Sequence, residues 1–530
     1  MITRYETNHQ LSHKTSILIG ANCKLTLGDA KLLATRFVPV ELNPDAYKPM
    51  EQSYQFLKSQ IDQRIPVYGT NTNFGDQATH INENLRSDDS SVYYASIHTQ
   101  QKNIIKSLAC SLGNTVAPEI TRITMMLRAH CLSQGYSGVS PATVNAMLKF
   151  LNSGITPLVG CYGSIGASGD LIPLASIAAG LIGENVNVLY KNEIMPAPQA
   201  LKLAGLKKFN PELRDGLAMI NGTSFMTAIT SLTLANLQRI FLQMLSAIAM
   251  SLESMLVIGS GYHPLVHQLK QHTGSILVNE FMLDFWQASQ LITDLEKVRA
   301  GEHIDRTVQD FYSLRSVPQG LGTFVENIER AKHWVENEMN SVNDNPIIDA
   351  DEKKIHHGAN FMGYYITDAC DMLKMNIAQA STWIHALLAN MVHPRKSQNL
   401  PANIVKDPHK RNGFRSMQLL AAALTVQNRK LAQSHAAYML PTEGDNQDVN
   451  SLGTHAALDF KEAVANLERL TAILLLASAQ ALEFRQIEKA GVKSRAIYRV
   501  IREHSATVQE CRPMTDELNT LIDLLREEKI

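Results

Sequence analysis

Gly163-Ser-Ile-Gly-Ala-Ser-Gly-Asp-Leu-Ile-Pro173 is a turn of small residues that runs straight into an apolar helix start. Asp170 stands where a helix cap belongs, and Pro173 falls in the first turn, where its missing N–H has no partner to lose. Three small residues, Ala167-Ser168-Gly169, occupy the centre. They let the backbone fold tightly enough for the Gly169 nitrogen to approach the carbonyl carbon of Ala167. Closing that ring expels one water, and loss of a second from Ser168 leaves an exocyclic methylene conjugated to a carbonyl. Such a group accepts electron density that no natural side chain accepts. A helix amino terminus beside it favours the negative charge that develops when a nucleophile adds.

Downstream of this turn the pattern is helical over long distances. From Gly216 to about Leu256, and again over Leu321–Asn340, Tyr364–Asn390, Ser416–Leu440 and Ala456–Arg485, apolar residues recur at three- and four-residue spacing. Several of these segments are small or apolar around most of their circumference and need neighbours on all sides. The expected fold is therefore mainly α, a long central helical bundle with a smaller mixed N-terminal region, buried in part against other subunits. In that region Ile17-Leu-Ile-Gly reads as a brief strand, Thr26-Leu-Gly-Asp-Ala as a helix start, and Glu119–Gln134 as a helix. Ser140-Pro141 reads as the cap and first position of another. Residues from Tyr68 to about Ser96 are rich in Asn, Asp, Gly and Ser and read as a long loop, with helical patterning resuming near His98. The expected divisions are 1–210, carrying the loop and the small-residue turn, 211–485, the bundle, and 486–530, peripheral helices.

The chain has 530 residues, enough for more than one packed region. A formal net charge of -1 with 19% charged residues fits an ordinary globular protein and offers no case for nucleic-acid binding. The basic residues from Arg485 to Arg502 are interspersed with Glu488 and followed by Glu503, as on a solvated helix face. The six cysteines are scattered without metal-ligand spacing, so they are expected to be reduced and structural, with no metal site. No leader pattern opens the chain at Met1. Thr, Ser, Asn and Gln interrupt the greasiest segments, so no membrane span is expected and the location is taken as cytoplasmic. Phosphate-loop, dinucleotide and His-Glu-x-x-His motifs are absent.

Several polar groups stand out against this background. Tyr68 opens Tyr68-Gly-Thr-Asn-Thr-Asn-Phe-Gly75. It reads either as a packing residue or as a base for a weakly acidic carbon proton, the latter if its pKa falls below about 10. Asn221-Gly-Thr223 interrupts a greasy helical stretch, as a bend satisfied by side chains or as a group beside the self-made ring. Tyr312 and Arg315 would share a helix face, and the arginine fork suits a carboxylate, whether of a substrate or of a structural acid. Asn343-Asp-Asn-Pro346, His357-Gly-Ala-Asn-Phe361 and Asn446-Gln-Asp-Val-Asn-Ser-Leu-Gly453 read as cleft lining or as turns. Buried amides in the last would need partners, and a bound polar substrate supplies them.

In their order these motifs resemble the aromatic amino acid ammonia-lyase family, which includes histidine, phenylalanine and tyrosine ammonia-lyases and related aminomutases. The likeness runs from about Leu25 to about Arg485 and is most specific at Gly166-Ala-Ser-Gly-Asp-Leu-Ile-Pro-Leu-Ala175. The resemblance implies a self-formed methylidene-imidazolone cofactor from Ala167, Ser168 and Gly169, no external cofactor, and a homotetramer whose sites draw on three subunits. It implies Tyr68 as the base, with Asn221 and Tyr312 around the cofactor and amine. Arg315 and Asn345 would form a carboxylate clamp, Phe361 would pack near the cofactor, and Gln447 would face the ring. The implied reaction adds the substrate amine to the methylidene carbon; Tyr68 removes the benzylic proton, and a trans-arylacrylate and ammonia leave. A 2,3-aminomutase would share all these residues and return ammonia to the β carbon. A non-catalytic scaffold on the same fold has no use for Tyr68, Ser168, Asn221, Tyr312 and Arg315 together.

Two departures bear on the substrate. Histidine-specific members usually read Ser-His where this chain has Ser107-Leu108, and a glutamate at Gln447. Histidine is disfavoured on that ground, and a histidine ammonia-lyase with an atypical pocket is the alternative. Phenylalanine-specific relatives usually read Phe-Leu at Ser107-Leu108, and one tyrosine-specific group His-Leu, so Ser107 leaves space and a hydroxyl, and phenylalanine or tyrosine is expected. Asn73 stands where the family commonly has glycine, which bears on loop motion.

Overall fold

Two helices of 31 residues each, α7 (Ser224–Ser254) and α13 (Gly453–Glu483), lie side by side at the centre of the molecule and are buried along most of their length. The structure, a computed structural model, describes residues 14–78, 83–295 and 307–530. Met1 to His13, read above for a leader, lie outside the described residues, as do 79–82 of the expected loop. Around the central pair stand α10 (Val317–Met339) and α11 (Tyr364–Met391), with α12 (Arg415–Leu431) on the outer side of α11 and α13 and α8 (Thr273–Phe285) against α10. Helices α14 (Val492–His504) and α15 (Thr515–Arg526) pack at the periphery, where Lys493 pairs with Asp284 and Arg502 with Glu483. One continuous hydrophobic core draws on residues from Ile17 to Leu525.

The fold is mainly helical, as expected. Helix α7 also corrects one reading: by length and composition it is apolar enough to cross a bilayer. Its sides are instead covered by α13, α10, α11 and α3 (Pro118–Leu132), so the same composition serves a core helix.

Smaller elements position the turn at Gly163. Helix α1 (Leu27–Arg36) begins at Thr26, whose side chain and Asp29 form a reciprocal cap. Strand β1 (Ile17–Ile19) pairs in parallel with β2 (Val40–Leu42). Strand β3 (Leu112–Thr115) pairs antiparallel with β5 (Gly160–Tyr162), which delivers the chain into the turn, while β4 (Thr156–Pro157) joins the hairpin of β6 (Asn187–Tyr190) and β7 (Glu193–Pro196). A further hairpin, β8 (Ile347–Asp349) with β9 (Lys354–His356), separates Asn345 from Phe361.

Two expected boundaries move. Helix α2 (Ser90–Leu108) starts eight residues before His98, because the Asp89 side chain accepts from Ser91 N at 2.8 Å and caps it. Helix α12 stops at Leu431 rather than Leu440. The chain beyond it is drawn onto α11: Ser434 Oγ and His435 N both donate to Asp371 at 2.8 Å, and Lys374 Nζ donates to the Gln433 carbonyl at 3.0 Å.

Helices α8 and α10 cross at Gly274 and Gly322 with backbone against backbone. A Cβ on Gly274 would lie 2.0 Å from the Gly322 carbonyl oxygen, and one on Gly322 would lie 2.5 Å from Ser275 N. Alanine for glycine in a helix interior ordinarily gains up to ~1 kcal/mol. Here the crossing has no room, so Gly322→Ala is expected to destabilise by roughly 1–3 kcal/mol through overpacking. Denaturant unfolding measures it, and a midpoint equal to or above wild type would show that the helices separate freely.

Candidate active site

The Ala167-Ser168-Gly169 turn is pressed between two other backbones. Gly166 and Gly169 both have φ of +69°, the left-handed region that glycine occupies at no steric cost. A Cβ on Gly166 would meet Ser451 Oγ at 2.2 Å, and one on Gly169 would meet the Gly222 carbonyl oxygen at 2.2 Å. Leu452 N donates to the Ile165 carbonyl at 2.9 Å, and Asp170 N to the Gly222 carbonyl at 2.7 Å.

Asp170 occupies the cap position of α5 (Leu171–Leu181) as expected, but its carboxylate makes no bond to that helix. It caps a different one. Phe225 N and Met226 N, at the start of α7, donate to it at 3.0 and 2.8 Å, and the hydroxyls of Ser164 and Thr454 donate at 2.7 and 2.6 Å. Full burial pushes its pKa up from the ordinary carboxylate range, while the four donors pull the other way. The starts of α5, α7 and α13 thus converge on one side chain behind Ser168.

In front of Ser168 lies a cavity of about 510 Å³. Ala167 and Ser168 form its floor, and Gln447 Nε2 donates to Ser168 Oγ at 3.0 Å. The other face of Gln447 is held by the Thr442 hydroxyl, which donates to Oε1 at 2.8 Å. One wall is apolar: Ile104 and Leu108 of α2, Leu171 of α5, and Leu217 of α6 (Asp215–Ile220), with Ser107 beside them. Tyr68, Phe74, Gly75 and Ala78 form the loop side; Asn221, Asn345, Phe361 and Met362 also line it, as do Glu443, Asn446, Asp448 and Val449 around Gln447.

Each polar residue in the lining has a defined partner or lacks one. Gly75 N donates to the Tyr68 hydroxyl at 2.9 Å. Burial, aided by Glu443, nevertheless holds that hydroxyl above its ordinary pKa, opposite to the condition set above for a base at neutral pH. Asn221 Nδ2 donates to the Asn345 carbonyl at 2.9 Å, while Asn221 Oδ1 is buried with no partner among the described residues. Gly358 N donates to Asn345 Oδ1 at 2.8 Å. Below them Asp344 takes both Arg214, at 2.9 Å, and Arg128, at 3.5 Å, and the two guanidinium groups hold this fully buried carboxyl below its usual range against desolvation.

Of the candidate residues, Tyr68, Ser107, Leu108, Ala167, Ser168, Asn221, Asn345, Phe361 and Gln447 come together in this one cavity. Gly169 lies beneath the turn, bridged to Gly222. Tyr312 and Arg315 do not join them. They share a face of α9 (Tyr312–Arg315), with the guanidinium 4.8 Å from the tyrosine ring centre, but they are not among the residues that line the cavity. Tyr312 is 74% exposed, and Arg315 Nε is buried without a hydrogen-bond partner among the described residues.

Sequence reasoning missed Glu443. Its carboxyl lines the cavity on the Tyr68 side, and a Cβ on Gly75 would lie 2.5 Å from it; burial and Asp76 push its pKa up. Its place three residues before the Asn446–Gly453 polar run was the available signal.

The profile of the aromatic amino acid lyase family matches residues 25–503. This chain belongs to that family. It is accordingly a carbon–nitrogen lyase of the ammonia-lyase group. It is 32% identical to a histidine ammonia-lyase of Symbiobacterium thermophilum over 96% of both chains. Among solved structures it superposes on the phenylalanine aminomutase of Pantoea agglomerans with a TM-score of 0.90 at 26% identity, over 96% of this chain and 98% of that one. The tyrosine aminomutase of Streptomyces globisporus gives 0.89 at 27%, over 97% of each.

For this lyase the convergence on Asp170 carries a stability consequence. Asp170→Ala leaves two backbone N–H groups and the Thr454 hydroxyl buried without this acceptor, and the Ser164 hydroxyl with only the Gly169 carbonyl at 3.4 Å, and is expected to cost about 3 kcal/mol or more. Asp170→Asn keeps one acceptor oxygen and costs less. Thermal unfolding of both variants measures the difference, and equal midpoints for alanine and wild type would remove Asp170 from the centre of the fold.

Proposed function

We propose that this chain is an ammonia-lyase converting an aromatic L-amino acid, phenylalanine or tyrosine in preference, to the trans-arylacrylate and ammonia. The observation that carries the reading is the packed Ala167-Ser168-Gly169 turn, with Ser168 facing a cavity that has a tyrosine on one wall and an apolar surface on another. Gly166 and Gly169 in left-handed conformation, with no space for a side chain on either, fit a backbone that cyclises on itself. The unpartnered Asn221 Oδ1 fits a site awaiting a donor. When formed, the methylidene-imidazolone of these three residues supplies an electrophile for the substrate amine.

The chain's own groups do the rest. Asn221 Oδ1 accepts a hydrogen bond from the amine, and Asn345 with Arg315 holds the carboxylate, the arginine through its unspent donor. Tyr68, once deprotonated, takes the benzylic proton onto its oxygen. Phe361 walls the floor, while Ile104, Leu108, Leu171 and Leu217 take the ring. Ser107 offers room and a hydroxyl to a para substituent.

Tyr312 and Arg315 stand outside the cavity of their own chain, so the complete site needs them from another copy. Exposed Met375 of α11 and Leu419 and Val426 of α12 offer apolar surface for that assembly, which we take to be a homotetramer. The six unpaired cysteines suit a reducing compartment such as the cytoplasm. Histidine is the substrate named for the curated relative, but the ring wall here is aliphatic, Gln447 is neutral, and Glu443 stands on the Tyr68 side. Asp448 and Glu443 also line the cavity, so the case against histidine rests on the aliphatic wall and the neutral Gln447.

Incubation with phenylalanine, tyrosine, histidine and tryptophan, followed for arylacrylate absorbance and for β-amino acids, tests the substrate. Phenylalanine or tyrosine should give the arylacrylate fastest. Preference for histidine would overturn the ring argument, and β-amino acid as the main product would make the enzyme an aminomutase. Ser168→Ala should lose turnover.

A second expectation concerns pH. Because the base must be deprotonated and its pKa is held high, activity should climb by up to about tenfold per pH unit from neutrality. Tyr68→Phe should abolish that activity. A rate that is flat from pH 7 to pH 9 would exclude Tyr68 as the titrating base.

A further inference from the structure

Glu338 sits near the end of α10, does not line the cavity, and takes no part in the chemistry above, yet it is one of the nearest acids to the cyclising turn's support. Thr223, the cap residue of α7, makes no side-chain bond to its own helix; its hydroxyl donates to the Glu338 carboxylate instead. Thr223 N donates to Asn343 Oδ1 at 3.3 Å, and the Glu338 carbonyl accepts from the Ser341 hydroxyl at 2.9 Å, so the end of α10 and the following turn are tied to the same short segment.

Gly222, next to Thr223, is confined on both faces. Toward α3, a Cβ on it would lie 2.0 Å from Arg128 Nη1 and 2.5 Å from the Asn343 carbonyl oxygen. Toward the turn, its carbonyl accepts from Asp170 N at 2.7 Å and would meet a Cβ on Gly169 at 2.2 Å. Gly169 therefore rests on Gly222, and Gly222 is held in place by its neighbour's bond to Glu338.

We propose that Glu338 is a positioning residue for making the electrophile: through Thr223 it pins Gly222 against Gly169 and keeps Ala167-Ser168-Gly169 in the compressed turn from which it condenses. The inference rests on the cofactor reading given above. In that condensation the Gly169 nitrogen bonds to the Ala167 carbonyl carbon. The carbonyl oxygen leaves as water with the amide hydrogens of Ser168 and Gly169, leaving a double bond from the Ala167 carbon to the Ser168 nitrogen. The Ser168 hydroxyl and its Cα hydrogen then leave as a second water. No oxidant or reductant enters. A turn free to relax would hold the nitrogen away from the carbon, and the first bond would form more slowly.

The test reads mass rather than activity. Wild type, Glu338→Gln, Glu338→Ala and Thr223→Val are made by cell-free synthesis, sampled over time, and followed by intact mass for the chain lighter by two waters, with circular dichroism as the check on folding. Wild type and Glu338→Gln, whose amide oxygen still accepts from Thr223, should condense together. Glu338→Ala and Thr223→Val should condense about tenfold more slowly, the rate effect of one lost hydrogen bond. If Glu338→Ala does not fold, Thr223→Val carries the test, since it removes the same bond with a side chain of the same shape.

Condensation of the folded variants at the wild-type rate would overturn the proposal and leave the cofactor reading standing. A wild-type chain that never loses two waters would overturn both. Slower turnover with unchanged condensation would place Glu338 in the chemistry instead and equally overturn the proposal.

Discussion

One buried carboxylate organises the catalytic end of this molecule. Asp170 accepts from the first turn of α7, from Thr454 in the first turn of α13, and from Ser164 on the approach to the turn, while its own backbone begins α5. A charge taken out of water is costly unless its lone pairs are met, and here four donors from three parts of the chain meet them. The two longest helices are thereby registered against each other at the point where Ser168 faces the cavity. The small-residue turn is small because nothing larger fits between those helix starts.

The same convergence accounts for strain at the turn. Gly166 is pressed by Ser451, Gly169 by Gly222, and Gly222 in turn by Asn343 and Arg128. The Gly169–Gly222 contact is backbone on both sides, while Ser451 Oγ and Arg128 Nη1 press from side chains that are themselves hydrogen-bonded, to the carbonyl of Gly166 and to Asn343. Arg128 and Arg214 share Asp344, so the layer behind the glycines is held by an ion-pair cluster rather than by a loop. A backbone nitrogen attacks a neighbouring carbonyl only when held close to it, and in the proposed cyclisation this packing is what would hold it.

Much of this was legible from the chain. The long helices follow from three- and four-residue apolar spacing, and the break at Asn221-Gly222-Thr223 was visible because polar and flexible residues interrupt a greasy run. The end of α12 was not legible. Its periodicity continues to Leu440, and what stops the helix is Asp371 and Lys374, some sixty residues away, which claim Ser434, His435 and the Gln433 carbonyl. Asp170 was read as capping the helix it precedes, a local rule, whereas its partners lie about 55 and 284 residues on. Glu443 went unread because a single acid in a polar stretch carries no pattern; only folding sets it beside Gly75 and Tyr68.

The electrostatics of the cavity bear on the proposed assembly. Tyr68 is held above its ordinary pKa by burial and by Glu443, so in a single chain its hydroxyl keeps its proton at neutral pH. Arg315 carries a buried donor with no partner among the described residues, on a short helix whose tyrosine is turned outward. A cation brought within a few ångströms of a phenol favours the phenolate, by the same Coulomb term with which Glu443 disfavours it. In the proposed assembly Arg315 is paired with the substrate carboxylate, so it brings little net charge to offset Glu443, and Tyr68 keeps the raised pKa on which the expected pH dependence rests.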